Sequence, residues 1–293
     1  MSQTSARIIA SYGRSYIIET PDGIRRTASA RGKKTDFACG DQVTIKLINA
    51  EQAVIEKAQA RKTLLYRSDQ WREKLIAANV TQIVIVVAPV PSWFDELIGR
   101  CLIAAEAAGI HPLICLNKSD LPEAAAAREK LASYARLGYD LVEVSALQDI
   151  EPLRAHLKGH TSVLVGQSGM GKSTLTNALI PDANARVNDI SIALDSGKHT
   201  TTHAALYKLD EQSELIDSPG LQSFGLAHIK VEELPGYFPE FRELLGKCRF
   251  HNCRHRQEPS CALHAAVDSG QVPSTRLELL QRLQDELALK STY

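Results

Sequence analysis

Over the first sixty residues apolar positions come in short alternating runs, 7–10, 15–19 and 43–47, broken by Tyr12-Gly13, Pro21-Asp22-Gly23 and Cys39-Gly40-Asp41. A period of two with turn residues between the runs predicts a small β-barrel or open β-sheet. A short basic loop, Arg31-Gly32-Lys33-Lys34, lies between two of these runs. From about residue 80 the period changes. Ile83-Val84-Ile85-Val86-Val87 reads as a buried strand from its β-branched content, and Ser92-Trp93-Phe94-Asp95 as a capping box opening a helix through Ala108 that Gly109 ends. Strands are expected at 113–116 and 141–144, then a short helix with Ile150, Leu153 and Leu157 on one face, then a strand at 162–165. This alternation predicts a mostly parallel sheet covered by helices. After about residue 235 the alternation stops. The final segment, 275–289, opens with the capping box Thr275-x-x-Glu278 and repeats Leu277, Leu280, Leu283 and Leu287, the pattern of an amphipathic helix packed on one side. Apart from an alanine run at 124–127 no repeat or low-complexity tract is visible.

A chain of 293 residues, 44% hydrophobic and 23% charged, can bury a core and suggests about two domains, with room for small modules. Its zero net charge is unevenly spread: residues 1–75 carry +6, 76–240 carry −8 and 241–293 carry +2. A basic head and tail fit an anionic partner, although solvated surface charge gives the same pattern. Cys39, Cys101 and Cys115 sit singly in apolar stretches, as buried thiols do, while Cys248, Cys253 and Cys261 lie within fourteen residues. The chain opens on no charged segment followed by an apolar run, and no apolar stretch approaches the ~20 residues of a membrane span. A cytoplasmic location without membrane contact is therefore expected, where clustered cysteines hold metal more often than they form disulfides.

Gly166, Gln167, Ser168, Gly169, Met170, Gly171, Lys172 and Ser173 satisfy GxxxxGK[ST] between a β-branched strand and a helical run that begins Ser173-Thr174. Glycines let the backbone curl its amides toward phosphates. Lys172 supplies a point charge to the β- and γ-phosphates, Ser173 a hydroxyl for Mg2+, and the helix N-terminus a favourable dipole. Asp217-Ser218-Pro219-Gly220, 45 residues beyond Lys172, fits the DxxG element: the carboxylate holds Mg2+ through water and the Gly220 amide meets the γ-phosphate. Between them, in Gly197-Lys198-His199-Thr200-Thr201-Thr202-His203, a threonine hydroxyl and carbonyl are expected to complete the Mg2+ shell, with Thr201 as the candidate ligand and Thr201 and Thr202, like Lys172, as catalytic candidates. Upstream, Asn117-Lys118-Ser119-Asp120 reads Asn-Lys-x-Asp. The Asp120 carboxylate accepts the N1 and 2-amino hydrogens of guanine, and adenine, lacking both, leaves it unpaired. The Lys118 stem packs along the base. Asn117 either reaches N7 or braces the phosphate loop. Ser145-Ala146-Leu147 resembles the fifth GTPase element, whose amide at Ala146 meets guanine O6.

This order, with the guanine element ahead of the phosphate loop, a basic β module before it and a cysteine cluster behind, resembles the RsgA (YjeQ) family of circularly permuted GTPases over nearly the whole chain. The resemblance implies an OB-fold RNA-binding barrel at 1–65, an α/β permuted P-loop GTPase domain at 75–228 and a mainly helical zinc-binding domain at 229–293. It implies Mg2+-dependent hydrolysis of GTP to GDP and phosphate, a monomer, and binding to the small (30S) ribosomal subunit and its 16S rRNA during late maturation. It points to His199 as the residue that positions water, because Leu221 stands where a glutamine normally does. It matches Cys248-x4-Cys253-x-His255-x5-Cys261, a donor set for one structural Zn2+, and favours His255 over the competing His251 and His264. Arg31, Lys33, Lys34, Arg61, Lys62 and Arg67 are the candidates for RNA. The residues by themselves leave two alternatives: a nucleotide-gated RNA-binding module with incidental hydrolysis, and an ATP-dependent small-molecule kinase.

Overall fold

The computed structural model describes residues 4–32, 37–68, 73–180, 204–218 and 224–290. Five strands open the chain: β1 (Thr4–Tyr12), β2 (Ser15–Glu19), β3 (Arg25–Ala30), β4 (Gln42–Leu47) and β5 (Gln52–Ala58). They run in the order β1-β2-β3-β5-β4, and pairing of β1 with β4 closes the barrel. The alternation seen in the sequence sorts side chains to its two sides. Ala6, Ile8, Tyr16, Ile18, Val43, Ile45 and Ile55 fill the barrel, whereas Ile9, Ala10 and Ile17 join the main core of the molecule. A register shift between Ile8 and Ala10 against β2 puts the consecutive residues Ile9 and Ala10 on the same side, toward the main core, while Ile8 faces the barrel.

A hairpin, β6 (Leu64–Ser68) and β7 (Glu73–Ala78), leads into the second region. There follow β8 (Gln82–Val87), α1 (Asp95–Ala108), β9 (His111–Leu116), α2 (Ala124–Arg136), β10 (Asp140–Glu143), α3 (Glu151–His156), β11 (Thr161–Val165), α4 (Lys172–Leu179), β12 (Ala204–Lys208) and β13 (Glu214–Asp217). Strands β10, β9, β8, β11 and β13 are neighbours in that order and parallel; β12 adds on antiparallel. All six residues of β8 are buried, as a strand covered on both faces requires. The alanine run at 124–127 is the first turn of α2, with Ala124 and Ala127 in contact with the interior. The sheet continues into the barrel. Ala10 and Ser11 of β1 pair with Ala205 and Ala204 of β12, making one eleven-stranded sheet of the two regions.

Beyond β13 a short 3-10 turn (Leu234–Tyr237) precedes α5 (Pro239–Arg242), α6 (Ala262–Asp268) and α7 (Ser274–Lys290). Leu277, Leu280, Leu283 and Leu287 are buried as expected, but the buried stripe also takes in Arg276, Leu279 and Gln284. Helix α7 lies against α1 so closely that a Cβ on Gly99 would come 2.3 Å from Leu279 Cδ2. Arg276 Nε donates to Glu240, a buried pair with the guanidinium stacked 4.7 Å from the Phe238 ring centre. Both expected capping boxes are corrected. Helix α1 begins after Phe94, whose N–H donates to Gln167 Oε1 at 3.0 Å; no side chain caps it, and Asp95 instead accepts the Trp93 indole N–H at 3.0 Å. Helix α7 starts at Ser274, so Thr275 lies inside its first turn. Gly109 does end α1, in the left-handed region at φ 64°. No helix among the described residues is long and apolar enough to cross a membrane.

Candidate nucleotide and metal sites

Parallel strands place all their C-terminal ends on one edge, and the sequence motifs follow those ends. Asn117 and Lys118 follow β9, Ser145 and Ala146 follow β10, Gly166 follows β11 and Asp217 ends β13. Asn117 is 1% exposed and binds in two directions. Its Nδ2 donates to Met170 O at 2.9 Å, and its Oδ1 accepts the Ala146 N–H at 3.1 Å. Of the two roles open to Asn117, the structure displays the brace on the phosphate loop. The Ala146 amide, expected to meet guanine O6, donates here to Asn117. Lys118, at φ 58°, sends Nζ to Gly169 O at 2.8 Å and Val90 O at 2.7 Å, so its stem crosses the same loop. Asp120 is exposed at the mouth.

The phosphate loop has the curl its glycines permit. Gly171 sits at φ 89°, where a Cβ would come 2.3 Å from Asn117 Nδ2. A Cβ on Gly166 would come 2.3 Å from Val86 O, which explains glycine at the end of β11. Lys172 opens α4 and donates to Gly166 O and, at 2.9 Å, to Gln167 O, two carbonyls at the start of the loop. Ser173 and Thr174 are exposed on the first turn of the helix, Ser168 and Gly169 at the rim, and Met170 is buried beneath. Burial pulls the Lys172 ammonium below its ordinary pKa, against the attraction of Asp217. Burial likewise raises Asp217, and Lys172 opposes that rise. A partly desolvated carboxylate beside the Ser173-bearing helix suits a hydrated divalent cation, the chemistry assigned to Mg2+. His199, Thr201, Thr202 and Gly220 lie outside the described residues. A cleft of about 740 Å3 between α1, α2 and α7 touches the phosphate loop at Gln167, but ion pairs such as Lys130 with Asp95 at 2.9 Å balance its charges.

At the other end, Cys248, Cys253, His255 and Cys261 bring one donor atom each within 4.8 Å of the others. His255 Nδ1 is 3.6 Å from Cys248 Sγ, 3.6 Å from Cys253 Sγ and 3.4 Å from Cys261 Sγ, and Cys248 Sγ is 3.9 Å from Cys261 Sγ. A tetrahedral Zn2+ with ordinary bond lengths has edges of about 3.6 Å between sulfur and nitrogen and about 3.8 Å between sulfurs. The four donors are set for that ion. Of the competitors, His264 contacts Arg256 O and His251 is exposed outside the cluster.

The barrel's expected cations divide. Arg61 makes two bonds of 2.7 Å to the fully buried Asp41, which holds β4 to the chain after β5, and Arg31 faces Glu56 at 3.8 Å. These two are engaged with carboxylates; Lys62 is exposed. Lys33, Lys34 and the Arg67 side chain lie outside what is described. The sequence reading missed Val90, whose carbonyl accepts from Lys118, and Phe94, whose N–H donates to Gln167; nothing in a linear pattern marks a backbone atom as a partner.

Known proteins agree with this geometry. The model of the RsgA GTPase family matches residues 58–227. The chain is 59% identical over 283 residues to a small ribosomal subunit biogenesis GTPase RsgA of Neisseria meningitidis serogroup C, covering 97% of this chain and 92% of that one. It is 52% identical over 277 residues to the protein so named in Nitrosospira multiformis, covering 94% and 88%. Among solved structures, YjeQ from Thermotoga maritima superposes with a TM-score of 0.75 at 29% identity, over 98% of this chain and 99% of that one. YloQ, described as a circularly permuted GTPase, gives 0.71 at 26% over 99% and 96%.

Proposed function

The chain belongs to the RsgA GTPase family, and from that premise we propose that it hydrolyses GTP on the small ribosomal subunit during the subunit's late maturation. The observation that supports this most is the bracing of the phosphate loop by the guanine element. Asn117 holds Met170 O while Lys118 holds Gly169 O, so base and phosphate recognition form one hydrogen-bonded unit. Asp120 then selects guanine, with Ala146 beside it. Gly166 to Thr174 wrap the phosphates, and Lys172 offsets the charge that develops on the transferred group. Ser173, Thr201 and Asp217 would hold Mg2+, which supplies charge neutralisation and in-line orientation when bound. His199 orients the attacking water, and Gly220 meets the γ-phosphate. Cys248, Cys253, His255 and Cys261 hold one Zn2+ in a closed, structural site.

In this reading residues 1–65 form an OB-fold that meets 16S rRNA, 75–228 the GTPase unit and 229–293 the zinc unit, acting as a monomer in the cytoplasm where the subunit is found. Lys33, Lys34, Lys62 and Arg67 carry the RNA contact, since Arg61 and Arg31 already face carboxylates. Measuring GTP turnover with and without purified small subunits tests the proposal. Stimulation is expected; an unchanged rate would leave an RNA-binding module with incidental hydrolysis. Competition of ATP against a fluorescent guanine nucleotide should show guanine preference, and equal competition would favour a kinase.

A further inference from the structure

We propose that Arg7, a residue of the barrel, positions the Mg2+-facing carboxylate of Asp217, which makes the barrel part of the GTP site. The proposal rests on the reading of Asp217 given above. Two separate links join the residues. Along the sheet, Ala10 of β1 pairs with Ala205 of β12, and Ala205 pairs with Asp217 of β13. One rung of three strands thus runs from the barrel to the carboxylate. Through side chains, Arg7 Nη1 donates to Glu214 Oε1 at 2.6 Å, and Thr161 Oγ1 donates to Glu214 Oε2 at 2.9 Å. Glu214 therefore ties β1, at the barrel, to β13, which ends at Asp217, and to β11, which ends at the phosphate loop.

Glu214 and Asp217 are three positions apart on one strand, so their side chains leave opposite faces of the sheet. Arg7 cannot touch the cation and acts by fixing the strand. That is enough, because the cation sets narrow limits. Mg2+ keeps near-octahedral geometry with its bound oxygens at about 2.0–2.1 Å, and Asp217 would reach it through one of its waters, so a slip of β13 against β11 would stretch or bend that water bridge relative to Ser173. The bland reading is a half-buried clip across the joint, with side-chain exposures of 24% for Arg7 and 14% for Glu214. A clip alters stability and leaves the cation untouched; a positioning residue alters cation affinity in the folded protein.

The experiment uses the full chain with GDP and Mn2+ in place of Mg2+, following free Mn2+ by electron paramagnetic resonance. Arg7→Ala should weaken Mn2+ binding about five- to tenfold, the lower range of site-to-site coupling. At saturating Mg2+, kcat should fall while KM for GTP stays within about twofold. Arg7→Lys should recover most of both losses. Thr161→Val, which cuts the other bond to Glu214 without touching the barrel, should move Mn2+ affinity in the same direction, and it serves where Arg7→Ala fails to fold. A folded Arg7→Ala or Thr161→Val with wild-type Mn2+ affinity overturns the proposal. Asp217→Asn is the control: if it too keeps wild-type Mn2+ affinity, the assignment of Asp217 fails, a result distinct from failure of Arg7 alone.

Discussion

Replacing Asn117 by alanine separates bracing of the loop from recognition of the base. The amide's two hydrogen bonds, to Met170 O and from Ala146 N–H, are lost together, and Met170 is 1% exposed. Two net bonds at about 1 kcal/mol each, with a further ~1 kcal/mol for the buried carbonyl left unpaired, give about 3 kcal/mol. How this divides between stability and binding follows from the loop. Without nucleotide the loop can relax and regain part of the loss, whereas with phosphates bound it must hold its curl and bear all of it. If half is regained, unfolding in urea shifts by about 1.5 kcal/mol, and the remaining ~1.5 kcal/mol weakens GDP about tenfold. Fluorescent-GDP titration and urea unfolding on one preparation measure both. The ratio of GDP to inosine diphosphate affinity is the discriminating number, because the two differ at the 2-amino group that Asp120 reads. Asn117→Ala should weaken both nucleotides in proportion. Asp120→Asn, at an exposed position, should leave urea stability within ~0.5 kcal/mol and collapse the ratio. An Asn117→Ala protein of wild-type stability, or one whose ratio collapses, would refute the reasoning.

Three further expectations follow from single groups. Burial pushes the Cys39 and Cys115 thiols up to about 12 and raises Cys101 as well, so none of the three should react with a thiol reagent in the native protein. Chelation should expose three fast-reacting thiols and release one Zn2+ by elemental analysis; three already free before chelation contradicts the zinc assignment. Asp217, raised by burial, holds its proton above the usual carboxylate range, and a bound proton competes with the cation. The Mg2+ concentration for half-maximal turnover should thus climb as pH falls toward that raised pKa, while a requirement flat down to the ordinary aspartate value of 3.8 removes Asp217 from the cation shell. His199→Ala should bind fluorescent GDP as the unaltered protein does and hydrolyse GTP at least ~100-fold more slowly, the lower end of general-base contributions; an unchanged rate excludes it.

Much of this was legible in the chain because each signal was local. A period of two marked β1, β2 and β4, β-branched runs marked β8 and β11, and a short apolar run marked β9. Strand β3, Arg25–Ala30, escaped because its residues, Arg25-Arg26-Thr27-Ala28-Ser29-Ala30, hold one buried position and no apolar alternation. Helix α2 looked like an alanine tract because its contact face is carried by Ala124, Ala127, Leu131 and Tyr134 among charged residues. The caps at Ser92 and Thr275 failed for a different reason. The N–H that a cap would take at Phe94 is taken by Gln167, a partner seventy-three residues away. Long-range partners of this kind, like Val90 O for Lys118 and Glu214 for Arg7, have no sequence signature, since any carbonyl or any glutamate could fill the role.

The rotated order of the motifs is tolerated for the same reason that they were readable one by one. Strands β9, β8 and β11 are parallel, with Val87 opposite Leu116 and Val165 opposite Ile85, so the loops after β9 and β11 emerge on one edge. Asn117 reaches Met170 across the end of β8 whichever loop the chain visits first. What the site requires is a set of strand ends; the sequence of connections is free. Rotation has its effect where the chain enters and leaves the sheet. The entry brings the barrel against β12 through Ala10 and Ala205, the exit runs from Asp217 toward the cysteine cluster, and Gly225 on that exit donates to Tyr66 O of the barrel-side hairpin at 3.2 Å. Among the described residues the barrel therefore meets β12 and, through Arg7, β13, the strand that ends at Asp217, and the chain enters the zinc region from that same strand. A partner that moves the barrel or the zinc region should on this basis change cation and γ-phosphate binding while leaving the choice of base unaltered.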